Sequence, residues 1–356
     1  MTMENKPDST RVPYREQRVS YSNSSDEVPF MSLSLRLHGH TFRLCFSAAR
    51  FHQSPARLAE FHAFHASHSS GSSSSRPWNE MFDWALAPLL PRLDELAPAP
   101  AAAVAARPTL QDYVAGPDYR CQLGAVDDVL VVESVEALDH VQKFWRHAAA
   151  SERQRSLLRK DLIRTVAPAD VAILPAGAPA ALDTPCSRVS VGGQEFCFDS
   201  LDEVCVPQLM AAYEKIAVAG LPPHVHVRRL EAVVFDEHGN VPLGSLYSNR
   251  FKELPLAYEK HCRDSVSLPT KRRWISQLRE AVAALHAIGV VWGAVSAFNV
   301  YIDKEDDLWI GGFGGGWSDD WVDEDKVDEP EGDLQALEAL VNWIMEPNDG
   351  GVPSKL

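Results

Sequence analysis

Apolar positions along the chain recur in two periods, and the switches between the periods mark out its elements. From Phe30 the run MSLSLRLHGHTFRLCFS alternates, with Leu33, Leu35 and Leu37 on one arm and Phe42, Leu44 and Phe46 on the other. This predicts a β-hairpin turning at His38-Gly39-His40. Helical spacing follows in Ser54–His68 and again in Trp78–Leu96, where Met81, Trp84, Leu86, Leu89, Leu93 and Leu96 recur. Tyr119–Ser134 predicts a strand pair turning at Ala125–Asp128, and Arg188–Ser200 a hairpin through Gly192-Gly193. A helix is expected over Val204–Ala219, then strands at Val225–Val234 and Val241–Leu246 around an Asp236–Asn240 turn.

The clearest pattern lies further on. Ile275, Leu278, Val282, Leu285 and Ile288 place a helix over Trp274–Ile288, and Gly289 stops it where a positive φ is favoured. A short strand (Val290–Trp292), a loop (Gly293–Phe298), a strand (Asn299–Ile302), a turn (Lys304–Asp307) and a strand (Leu308–Ile310) are expected next, before a glycine run, Gly311–Gly316. Asp333 then precedes Leu334, Leu337, Leu340, Val341 and Ile344 at helical spacing, so a capping aspartate explains it.

Composition narrows the class. The 356 residues are 45% hydrophobic and 23% charged, enough for two or three domains with a sizeable core. No apolar run approaches the ~18 residues that span a bilayer, and MTMENKPDSTR lacks the apolar block of a signal peptide, which predicts a soluble, intracellular protein, cytoplasmic or nuclear, with no membrane partner. Cys45, Cys121, Cys186, Cys197, Cys205 and Cys262 form no C-x-x-C pair and read as reduced core thiols. A net charge of −15 argues against general affinity for nucleic acid or anionic membrane.

Charge is unevenly spread. Nine acids crowd the fifteen positions 319–333, as a solvated loop or as a docking surface for a basic partner. Lys143–Arg164 holds seven Lys/Arg against two acids; as a helix it offers a solvated basic face or, alternatively, an RNA- or phosphate-contacting one. Residues 1–27 are polar and expected to be disordered, and Ala97–Pro108 reads as a Pro/Ala linker ending a domain. His38 and His40 on a hairpin tip, and His62, His65 and His68 beside a serine tract, make incomplete metal sites, so no metal is expected.

The order of helix, loop, hairpin and glycine-rich run, centred on LHAIGVVWGAVSAFNVYIDKEDDLWIGGFGGGW, resembles the catalytic core of eukaryotic-type protein kinases, and most closely the fungal kinase-like proteins with an "LH…G(V/I)VWGD" run. The resemblance places the His-Arg-Asp triplet on Trp292-Gly293-Ala294, the catalytic-loop Lys on Ser296, the metal-binding Asn on Asn299 and the Asp-Phe-Gly triplet on Gly312-Phe313-Gly314. It places the phosphate-binding Lys on Asp199 and its helix Glu on Gln208, and it makes Asp333 the buried aspartate that hydrogen-bonds the catalytic-loop backbone. It further implies that Tyr119–Ser134 opens the N-lobe and that the C-lobe is short. Phosphoryl transfer needs a carboxylate for the hydroxyl proton and another for Mg²⁺, and neither Ala nor Gly supplies one. An Asp at 199 is expected to repel phosphates without a counter-charge.

The expected architecture is therefore α+β: residues 1–27 disordered, 28–107 an accessory α+β domain with its linker, 108–253 a kinase-like N-lobe and 254–356 a short C-lobe. The chemistry implied is that of a pseudokinase, binding, scaffolding or regulating through an unknown protein or small-molecule partner, with ATP and Mg²⁺ binding absent or weak. Asn299, Phe313, Gly314, Gly315 and Trp292 are the candidate ligand contacts. The alternative is a kinase-fold enzyme rebuilt for other chemistry, for example with a nucleotide- or tRNA-activated donor.

Overall fold

The computed structural model describes residues 14–21, 29–69, 78–98, 101, 107–138, 163–174, 181–183, 187–201, 206–239, 242–248, 255–258, 266–313, 315 and 321–345. In chain order the strands are β1 (Tyr14–Tyr21), β2 (Phe30–Leu37), β3 (His40–Ser47), β4 (Asp118–Val126), β5 (Val129–Leu138), β6 (Thr165–Val166), β7 (Ala172–Ile173), β8 (Arg188–Val191), β9 (Gln194–Ser200), β10 (Leu230–Phe235), β11 (Pro242–Ser248), β12 (Val300–Ile302) and β13 (Leu308–Ile310). The helices are α1 (Pro55–Ser69), α2 (Trp78–Leu86), α3 (Leu93–Leu96), α4 (Leu110–Ala115), α5 (Val206–Ala219), α6 (Leu268–Ala287) and α7 (Pro330–Met345). The fold is mixed α+β, and it divides into one unit of residues 1–146 with 169–186 and another of 147–168 with 187–356. No helix among the described residues is long and apolar enough to cross a membrane.

In the first unit β1 to β5 form one sheet in sequence order, antiparallel except for the parallel β3–β4 pair. The alternation that predicted the hairpin sets its register: Met31 faces Phe46, Leu33 faces Leu44 and Leu35 faces Phe42, all buried. Phe61, Phe64, Met81 and Phe82 from α1 and α2 cover that face. Gly39, at φ +82, makes the turn. Arg36 is buried beside it, donating to Thr41 Oγ1 and to the carbonyls of Gly39, Tyr113 and Leu182, with its guanidinium over the Tyr113 ring.

Four sequence expectations for this unit change. Tyr14–Tyr21 was expected to be disordered but pairs with β2, because an edge strand is held by main-chain bonds that a polar sequence does not forbid. Tyr119–Ser134 forms β4 and β5 as expected, but in this sheet beside β3 and not at the start of a separate lobe. The helix expected over Trp78–Leu96 is broken: Pro88 and Pro91 lack amide donors and clash with the preceding turn, leaving α2 and α3 apart. Ala97, at the head of the expected linker, is buried, and its carbonyl accepts from His38 Nδ1 at 2.8 Å.

In the second unit β10 lies between β6 and β11, and β11, β9 and β8 follow in antiparallel order. The β8–β9 turn is Gly192-Gly193, both at positive φ as a tight hairpin requires. A core drawn from α5, α6, α7, β10 and the β12–β13 hairpin contains Leu209, Ile216, Trp274, Leu278, Leu285, Ile310, Leu340 and Ile344. The strand expected from Val225 begins only at Leu230. Upstream of it, Val227 bridges Ile310, with Arg228 N donating to the Ile310 carbonyl at 2.7 Å. The basic stretch 143–164 lies outside the described residues except for Ile163 and Arg164.

Candidate functional site

The site is built where α6 runs out. Its last turn ends at Gly289, φ +70, a conformation a side chain would strain, and Lys215 of α5 donates to the Gly289 carbonyl. The expected strand Val290–Trp292 does not form. Instead a carboxylate takes its amides: Asp333, 3% exposed, accepts from Trp292 N at 2.7 Å, Gly293 N at 2.8 Å and His286 Nε2 at 2.8 Å. Asp333 lies inside the first turn of α7, so its side chain anchors the loop across space and is not the residue preceding the helix.

Trp292 is fully buried, and its indole donates to the Gly311 carbonyl at 2.7 Å. It is a core strut between the loop and the glycine run. Phe313 is also buried, edge-on to Tyr213 with ring centroids 5.2 Å apart. Ser296 precedes the 3-10 turn Ala297–Asn299 and makes no side-chain cap. Asn299 Nδ2 donates to the Ala294 carbonyl at 2.8 Å, closing the loop on itself. Gly312 sits at φ +74, and a β-carbon there would overlap the Asn299 carboxamide. Gly314 lies outside the described residues; at Gly315, φ +75, the space a β-carbon would need holds the Gln208 carboxamide.

Gln208, on α5, also donates weakly to Asp328 Oδ2 at 3.4 Å. The other oxygen of Asp328 lies 3.1 Å from where a β-carbon at Gly293 would stand. Glycines at 293 and 315 thus admit an aspartate from the acidic stretch and a glutamine from α5.

Asp199 is not without a counter-charge, contrary to the sequence expectation. Arg228 Nη1 donates to Asp199 Oδ2 at 2.6 Å; the arginine side chain is 4% exposed and the aspartate 47%. Pairing of Val227 with Ile310 aims Arg228 inward, and its guanidinium lies 3.9 Å from the Tyr247 ring centroid and 4.4 Å from that of Tyr301. A glycine at 311 lets this happen, since a β-carbon there would press on Arg228 Cδ at 3.1 Å and Tyr301 Cε2 at 3.3 Å. Burial lowers the guanidinium pKa, but Asp199 and the tyrosines more than offset it, so Arg228 stays charged. Burial pushes Tyr301 up to about 12, Arg228 opposing, and raises Tyr213 and Tyr247.

The sequence reading brought Ala294, Asn299, Gly312, Phe313 and Asp333 to one place and missed Arg228, Tyr247, Tyr301 and Asp328. No motif marks Arg228: in HVHVRRLEAVVF it is one of two adjacent arginines, and only the register with β13 tells them apart. Among the described residues no group of three or more His, Cys, Asp or Glu could hold a metal ion. A comparison with models of protein families found no match, and neither did a comparison with curated proteins.

Proposed function

We propose that residues 187–356 form a protein-kinase-like body that does not transfer phosphate and acts by binding. Its element order supports the reading: a hairpin (β8, β9), a helix (α5), two further strands (β10, β11), then α6, a loop, the β12–β13 hairpin, a glycine run and α7. This is the order in which kinases present the phosphate-binding lysine, its helix glutamate, the catalytic loop and the metal-binding triplet. The buried Asp333 gripping Trp292 N and Gly293 N fits the same reading.

One observation carries the loss of chemistry. Where the resemblance calls for an ammonium facing phosphate stands Asp199, already neutralised from within by Arg228. A nucleotide arriving there would meet a carboxylate, while the cation that could attract it is engaged behind. Ala294 offers no proton acceptor, and Asn299 has closed over Gly312. What remains is a scaffold whose partner is a protein or a small molecule.

Thermal unfolding with and without Mg·ATP tests this, because a ligand held at a hundredfold excess over Kd adds ~2.7 kcal/mol to stability. No magnesium-dependent rise is expected, and no transfer of radiolabelled phosphate to the chain itself or to a generic substrate. A clear rise with Mg·ATP overturns the reading.

A further inference from the structure

The first unit holds a buried cation of its own, and its bonds are of two kinds. Among the described residues Arg36, 7% exposed, has no carboxylate partner. Three bonds stay within the β2–β3 turn and neighbouring α4: Nη1 to Thr41 Oγ1 at 3.0 Å, and Nη2 to the carbonyls of Gly39 at 3.1 Å and Tyr113 at 2.7 Å. Together with the Tyr113 ring, whose centroid lies 3.8 Å from the guanidinium carbon, they fix the head group and aim Nε at the Leu182 carbonyl, 3.2 Å away. One residue further on, Asp183 Oδ1 accepts from the amide of Gly39, which is buried and at φ +82. The turn can lie there because position 116 is glycine; a β-carbon on Gly116 would stand 2.1 Å from the Gly39 carbonyl oxygen. What Leu182 and Asp183 contribute is one carbonyl, one carboxylate and one apolar side chain, the leucine being packed in a small cluster with Ile173, Ala181 and Tyr113 apart from the main core of the unit. They belong to no helix or strand, whereas the groups that receive them are held by β2, its turn and α4.

We propose that Arg36, Gly39 and Tyr113 form a docking site for a short peptide segment of another protein, read as a leucine followed by an aspartate, and that Leu182-Asp183 is the resident that fills it in the folded chain. The resident states the chemistry of the partner. Arg36 Nε takes the leucine carbonyl, the cluster takes the leucine side chain, and the Gly39 amide takes the carboxylate. The positive charge bonded to the carbonyl of that same glycine favours an anion at its amide. With the resident withdrawn, two buried donors lose their acceptors, a cost that a Leu-Asp segment arriving in trans removes. Because the receiving groups are ordered by their own neighbours, little further ordering is needed when such a segment binds.

The probe is a labelled peptide with the sequence of residues 178–185, APAALDTP, titrated against the full chain and read by fluorescence anisotropy. The site lies in the first unit and no nucleotide or metal is used, so the outcome is independent of the kinase-like reading. In the wild type the tethered resident competes at high effective concentration. Leu182→Ala with Asp183→Ala disarms it, and that variant should bind the peptide about tenfold more tightly than the wild type does. Binding should be lost when the peptide's own leucine and aspartate are replaced by alanine, and when Arg36→Met is added to the disarmed chain. Equal affinity in the disarmed chain and the wild type, equal affinity of the disarmed chain for the two peptides, or affinity that survives Arg36→Met overturns the proposal. Should the disarmed chain not fold by itself, folding on addition of excess peptide supports the proposal and failure to fold with it overturns it.

Discussion

Asn299 closes over Gly312: its carboxamide donates to the Ala294 carbonyl and fills the space that any β-carbon at position 312 would need. The residue that resembles a metal ligand is thereby used to seal the loop. Gly312→Asp should consequently destabilise the protein by about 1–3 kcal/mol, from overlap and from a side chain at φ +74, and should confer no magnesium-dependent stabilisation. Urea unfolding with and without magnesium checks both. Neutral stability together with a magnesium response would mean that Asn299 swings aside.

Restoring Ala294→Asp alone should leave phosphate transfer at the wild-type level. Groups that act as a unit give almost nothing singly, and the added carboxylate would still lack a metal and an ammonium at position 199. The measurement is radiolabel incorporation with generic substrates; activity well above wild type would identify a kinase silenced at one position.

The two members of the Arg228–Asp199 pair should differ in cost. Asp199→Asn takes the Asp199 charge away from a guanidinium that is 4% exposed, and breaking a buried pair from one side typically costs ~3–5 kcal/mol. Arg228→Met leaves behind a carboxylate that is 47% exposed and can hydrate, while the aliphatic chain keeps contact with the tyrosine rings, so a clearly smaller loss is expected. Denaturation midpoints of the two variants in chloride buffer decide it, and equal losses would contradict the assigned burial.

Removing the Asp333 carboxylate should be among the most damaging single changes in the second unit. Asp333→Ala leaves the Trp292 and Gly293 amides without their acceptor, and loss of charged hydrogen bonds with buried donors typically costs ~3 kcal/mol. Hydrogen exchange should accelerate at those two amides before it does in α6. Protection that survives the substitution would mean the loop holds its own shape.

Alkaline stability follows from the tyrosines. Tyr301 titrates at about 12 in the folded protein against 10.0 when free, so above pH 10.0 the unfolded chain releases a proton that the folded one keeps. Stability from this group is full below 10.0 and is lost as pH rises through 12; raised values at Tyr213 and Tyr247 act in the same sense. Tyr301→Phe should flatten the fall across that window, and an unchanged slope would show that the phenol is not buried as described.

Legibility in the sequence tracks how local the cause is. Helix α6, the glycine that ends it and the β12–β13 hairpin were readable because apolar spacing and a positive-φ glycine act within a few residues. Strand β1 was not, since its polar residues are held by the main chain of β2. Arg228 was not either: its pairing with Asp199 spans 29 positions and depends on a bridge between Val227 and Ile310 that no side-chain pattern announces. The break between α2 and α3 could have been read from Pro88 and Pro91, which the apolar spacing of their neighbours obscured.

The chain leaves its first unit at residue 146, returns to it at 169 and leaves again after 186. Within the returning piece Leu182 gives its carbonyl to Arg36, and Asp183 accepts from the amide of Gly39. During synthesis, therefore, the β2–β3 turn emerges about 140 residues ahead of the segment that completes its hydrogen bonding, a delay of roughly 7 to 30 seconds at ordinary elongation rates. A ribosome stalled anywhere before residue 182 would hold a first unit whose buried arginine still lacks one of its acceptors, so the nascent chain should gain protease resistance there in a late step and not in proportion to its length.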